Sequence, residues 1–88
     1  MMHIRIDAHT LERAGERGAS REEIEEVIRT GSTVPARSGR LARTKVFPFA
    51  RWWRGGQYEQ KMVKVVYSVE GEVATTVTVY VFYGKWEG

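Results

Sequence analysis

The chain has 88 residues, 42% hydrophobic and 28% charged, a composition of globular type with room for one core. It holds no cysteine and only two histidines, which excludes disulfide scaffolds, thiolate metal sites and thiol nucleophiles and argues against a His-rich metal centre. The net charge of +3 is unevenly placed: residues 34–64 carry eight cations against one glutamate, while 1–33 and 65–88 are each net −2.

In chain order, Met2–Ile6 alternates apolar and polar residues, which predicts a short extended lead-in or edge strand. Asp7 is placed to cap a first helix that Gly18 ends, with Leu11 and Ala14 as a thin apolar stripe. Ser20 and Glu23 form a capping box for a second helix, on which Ile24, Val27 and Ile28 share one face and which Gly31 closes. The helix pair therefore covers about residues 7–31. Residues 32–40 read as a loop. Three β-rich stretches follow, at about 41–53, 58–69 and 72–83, divided by Gly55–Gly56 and Glu70–Gly71 as hairpin turns.

The odd positions Val63, Val65, Tyr67 and Val69, with Val73, Val77, Val79 and Val81, form an apolar face for the helices to cover. The other face is polar, aromatic and cationic. These elements predict an α+β domain spanning 1–88: two N-terminal helices on one face of a three- to four-stranded antiparallel sheet, a meander over about 41–84, with residues 2–6 as the fourth strand. The apolar runs are too short to span a bilayer and no signal-peptide core opens the chain, so a soluble cytoplasmic protein is expected.

The stretch from His9 to Gly31, with its His-x3-Arg-x3-Arg-Gly segment, capping box and glycine-closed helix, resembles the opening of a small bacterial family known as domain of unknown function 4258. Val65–Gly71 and Val77–Tyr80 are similar to its closing strands, so the resemblance spans most of the chain. The helix-helix-sheet order also resembles the RelE-like toxins, at the level of fold. That second resemblance implies a metal-independent ribonuclease or an inactive relative of one, neutralised by an acidic antitoxin-like partner. His9, Arg13 and Arg17 match positions the first family marks. The Arg-rich loop and Arg51–Arg54 lie outside both resemblances.

His9, Arg13 and Arg17 at i, i+4 and i+8 line one helical ridge. Metal-free RNA cleavage needs a group that moves the 2′-hydroxyl proton and cations for the charge developing at phosphorus; histidine and arginine suit those tasks. Tyr80, beside Thr78 and Tyr58, is the candidate that would complete a catalytic set. The same residues also suit a solvated helix face and ordinary cross-strand pairs.

Arg43, Lys45, Arg51, Trp52, Trp53, Arg54, Lys61 and Lys64 are the candidate nucleic-acid contacts, because rings stack on bases and cations meet phosphates. Trp and Arg equally favour protein interfaces. Two readings therefore stand side by side: a toxin-like RNA-binding domain with metal-independent endoribonuclease activity in its enzymatic form, and a non-enzymatic interaction module that forms a homodimer or docks an acidic partner. No phosphate-cradling glycine loop, paired carboxylate or metal-ligand spacing is present, so no cofactor, metal or membrane partner is expected.

Overall fold

The computed structural model describes residues 2–86. Within it the chain order is β1 (His3–Arg5), α1 (Ala8–Arg17), α2 (Arg21–Thr30), β2 (Ser32–Val34), β3 (Leu41–Trp53), β4 (Gly56–Glu70) and β5 (Val73–Gly84). The strands form one five-stranded sheet in the order β1-β5-β4-β3-β2. This corrects the expected three- to four-stranded antiparallel sheet, because β1 runs parallel to β5, pairing His3–Arg5 with Val73–Thr75. The fifth strand comes from the stretch read as loop: Ser32–Val34 pairs antiparallel with Ala42–Thr44. Three residues carry too little pattern to announce a strand, and the exposed edge of β3 supplies the partner that local propensity does not.

Both helices end where their capping chemistry says they should. The Asp7 side chain accepts from the Thr10 N–H at 2.8 Å, and Gly18 closes α1 in the left-handed conformation at φ 93°. In α2 the Ser20 hydroxyl accepts from Glu23 N at 3.1 Å while the Glu23 carboxylate accepts from Ser20 N at 2.9 Å. The helices lie on the same face but pack on the sheet more than on each other, α1 over β5 and α2 over β3 and β4. Ala14, Ile24, Val27 and Ile28 meet Val63, Val65, Tyr67 and Val79 in the core, with Ile4, Ile6, Phe47 and Val81 around it. Each buried valine or isoleucine among them contributes about 1.5–3 kcal/mol when taken out of water.

Two bulges decide which residues face which side. Between Val66 and Tyr67 the register with β5 shifts, so that Thr78 opposes Val66 but Thr76 opposes Tyr67. Alternation along β5 therefore breaks at Val77. Ala74 and Thr76 turn to the core, and Val73, expected there, is exposed. Thr76 then accepts from Asp7 N at 3.2 Å, tying the start of α1 to β5. The second bulge lies between Pro48 and Arg51 of β3, with Ala50 at φ 48°. The hairpin turns also sit one residue from their expected places. Trp53 pairs with Gly56 around Arg54–Gly55, and Glu70 pairs with Val73 around Gly71–Glu72.

The Thr10 N–H, donated to the carboxylate, holds Asp7 below its ordinary pKa of 3.8. Stability from this cap is present above that ordinary value and lost as pH falls through the lower folded one. Asp7→Ala should cost about 1 kcal/mol at pH 7 in urea unfolding. The gap between variant and wild type should close below about pH 4, as the cap is protonated.

Candidate nucleic-acid interface

The fold divides the basic middle of the chain between two faces. Four cations point to the helix side and end on the carboxyl ends of the helices. Lys61, only 7% exposed, donates to Gly18 O at 2.7 Å and to the Glu23 carboxylate at 2.8 Å. Arg54 donates to Glu16 O at 2.6 Å. Arg43 reaches Ile28 O at 2.7 Å, and Lys45 reaches the Thr30 hydroxyl at 2.8 Å and Glu26 at 2.5 Å. The last carbonyls of a helix lack intrahelical donors and carry the negative end of its dipole, so cations are the natural partners. These four are held by protein groups.

An aromatic cluster locks the same junction. Trp53 stacks on Tyr83 with centroids 5.2 Å apart and planes 24° apart, and Phe49 and Tyr58 lie 5.1 and 5.6 Å from Tyr83. Tyr83 donates to Arg17 O at 2.6 Å. Burial pushes its phenol above the ordinary value, and Glu23 adds to the rise, so it remains a donor at neutral pH. Gly18 is required here: a Cβ would run into the Tyr83 hydroxyl and come within 3.1 Å of the Trp53 ring. Of the two adjacent tryptophans, Trp53 belongs to this cluster and Trp52 is the free one, 69% exposed. Arg51, which precedes it in the chain, has its guanidinium 5.1 Å from the Phe49 ring of the cluster.

Lys64 and Tyr80 point to the face away from the helices. Thr44, Lys64 and Tyr80 form one cross-strand row, and Val46, Met62 and Phe82 form the next. Tyr80 is 42% exposed, with the Arg17 guanidinium 5.5 Å and the Lys64 ammonium 5.9 Å from its ring centroid. Arg17 comes round the edge of β5, where it donates to Val79 O. Beside Tyr80 lies a cleft of about 340 Å³, walled by Lys64, Val66 and Thr78 and by Arg37 and Arg40 from the connection after β2. Among the described residues, no acidic one lines it. A larger groove of about 850 Å³ at the β3 edge contains Lys45, already paired, and Glu59, so it has no comparable excess of charge.

The four candidate catalytic residues fall into two contacts. Arg17 lies over Tyr80, and on α1 the Arg13 Nε approaches His9 Nε2 at 3.5 Å while its guanidinium lies 3.7 Å from Glu16. His9 is exposed. Arg37 and Arg40 are the site residues that sequence reasoning counted as charge but left out of the candidates. The signal was the Ser38–Gly39 pair between them, which marks a turn holding both arginines at its corners.

Comparison with known proteins finds no match: no family model, no curated protein and no solved structure matches the chain. Among the described residues, no helix is long and apolar enough to cross a membrane.

The division of cations is measurable. Lys61→Ala removes two charge-assisted hydrogen bonds and should lower unfolding free energy by about 2 kcal/mol. Lys64→Ala, without a carboxylate partner among the described residues, should stay within about 0.5 kcal/mol of wild type in the same urea titration.

Proposed function

We propose that the protein is a small, toxin-like RNA-binding domain of the cytoplasm that holds single-stranded RNA on the open face of its sheet. The observation that carries this reading is Tyr80, an exposed ring between two cations, next to a cleft whose charged lining among the described residues is basic. A base stacked on such a ring contributes about 1–3 kcal/mol, and Lys64, Arg37 and Arg40 are placed for the phosphates on either side of it. Phe82, 48% exposed on the neighbouring row, offers a second ring. Stacking of this kind needs unpaired bases, which favours single strands over duplex.

His9 and Arg13 bring cleavage into the proposal. In this reading His9 accepts the 2′-hydroxyl proton as the 2′-oxygen attacks phosphorus. The phosphorus–5′-oxygen bond breaks to leave a 2′,3′-cyclic phosphate, the leaving 5′-oxygen takes a proton from solvent, and Arg13 offsets the charge on the phosphate. A second reading rests on Trp52: a large exposed ring beside Arg51 suits an interaction module that docks an acidic antitoxin-like protein or a second copy of this chain.

Anisotropy with a labelled single-stranded RNA separates these. Three phosphate contacts predict a log–log salt slope of about −2. Tyr80→Ala and Lys64→Ala should each weaken binding by about tenfold. His9→Ala should abolish EDTA-resistant cleavage and leave affinity unchanged. Equal binding at 50 and 500 mM salt would remove the RNA reading. Light scattering on the wild type and on Trp52→Ala reads the second: an assembly lost in the variant supports it, and a monomer in both removes self-association.

A further inference from the structure

The cleft beside Tyr80 has features that a surface for internal nucleotides does not need. Arg37 and Arg40 are the first and last residues of one β-turn, closed by an Arg40 N–H to Arg37 O hydrogen bond of 3.0 Å. Its central residues, Ser38 and Gly39, are both left-handed, at φ 46° and 73°. A turn of that kind is compact, with the Cα atoms of its end residues less than about 7 Å apart, and both arginines line the cleft. Lys64 supplies a third cation from the sheet, and Thr78 lies in the same wall. Among the described residues none of the three cations has a carboxylate within ion-pair distance.

The same connection stands over one end of the open face. Ala42 points away from the helices, since its neighbour Arg43 points to α2, yet it is fully buried. Residues 35–40 rise over that end and form one side of the cleft. A strand following the face from the hairpin tip toward Tyr80 therefore meets a wall. Internal RNA phosphates carry one negative charge, whereas a terminal phosphomonoester carries about 1.5–2 at neutral pH and presents three acceptor oxygens. Three unpaired cations, two of them able to fork two donors each, match the second ligand better.

We infer that this cleft is a pocket for the phosphorylated end of an RNA strand, with the terminal phosphate on Arg37, Arg40 and Lys64 and the adjoining base on Tyr80. This deepens the RNA-binding reading and rests on it. The chemistry is shared by a 5′-phosphate and a 3′-phosphate, so both belong in the test.

The probes are internally labelled 2′-O-methyl 12-mers of one sequence, which cannot react through a 2′-hydroxyl: one with a 5′-phosphate, one with a 3′-phosphate, one with both ends hydroxyl, and one closed into a circle. One phosphorylated strand should bind at least tenfold more tightly than the hydroxyl-ended strand and the circle, and the preferred strand names the end. Arg37→Gln combined with Arg40→Gln should abolish the preference, so that the phosphorylated strand binds within twofold of the hydroxyl-ended strand and the circle measured on the same variant. Adenosine monophosphate should displace the preferred strand at concentrations where adenosine does not. If all four strands bind within twofold of one another, the end pocket is overturned and the RNA-binding face stands. If none binds at low salt, both fall together.

Discussion

The structure depends on how the carboxyl ends of two ten-residue helices are satisfied. Helices this short are marginal in water by themselves and need tertiary partners. Here the partners are polar as well as apolar. The final carbonyls of α1, at Glu16, Arg17 and Gly18, accept from Arg54, Tyr83 and Lys61, and those of α2, at Ile28 and Arg29, accept from Arg43. Arg43, Lys61 and Tyr83 lie on β3, β4 and β5, and Arg54 lies in the turn that joins β3 to β4. The sheet therefore positions the helices through directional bonds to their ends, and the valine and isoleucine core fills the space between. Glu23 joins the two devices: one oxygen accepts both from its own N-cap and from Lys61. Such a carboxylate cannot be replaced without loosening both helix ends at once.

This arrangement explains why so basic a segment lies inside so small a protein. A stretch with eight cations and one glutamate looks from its composition like a single polyanion surface. In a strand, side chains alternate between faces, so the charge divides with the pleat. Arg43, Lys45 and Lys61 fall on the helix side and are neutralised by carbonyls and glutamates, while Lys64 falls on the other. The surviving field is smaller than the charge count implies, but it is concentrated where the turn at 37–40 comes back over the sheet.

Local chemistry was legible in the sequence wherever it was local. Asp7, Gly18, Ser20 and Glu23 announce helix ends because capping is a matter of four or five consecutive residues. The valines of β4 announce a buried strand face for the same reason. What stayed hidden depends on distant pairing. Nothing in His3–Arg5 says that its partner is residues 73–75 or that the two run parallel, and Ser32–Val34 becomes a strand only because the edge of β3 is there to receive it. The bulge at Val77 reverses the facing of Val73 against an unbroken alternation of valine and threonine, because valine suits either face equally well. The candidate site was legible as residue types and illegible as an arrangement. Trp52 and Trp53 are indistinguishable in sequence, and only the position of Tyr83 and Gly18 makes one of them structural.

Open strand edges give the last constraint. Beyond its pairing with β2, β3 runs on from Lys45 to Trp53, and beyond its pairing with β1, β5 runs on from Thr76 to Gly84. Long bare edges invite pairing with other chains unless something interrupts them. On β3 the interruption is Pro48 with the adjoining bulge at Ala50, which cannot continue a regular ladder. On β5 it is Arg17, whose guanidinium takes the Val79 carbonyl that an added strand would need. The same guanidinium then lies over the Tyr80 ring. Ordering a free arginine side chain costs about 2 kcal/mol, and here edge protection has already met that cost. Tyr80 is thus presented beside a cation whose position is set by the fold before any ligand arrives, and the edge that must be guarded against added strands becomes one border of the proposed binding face.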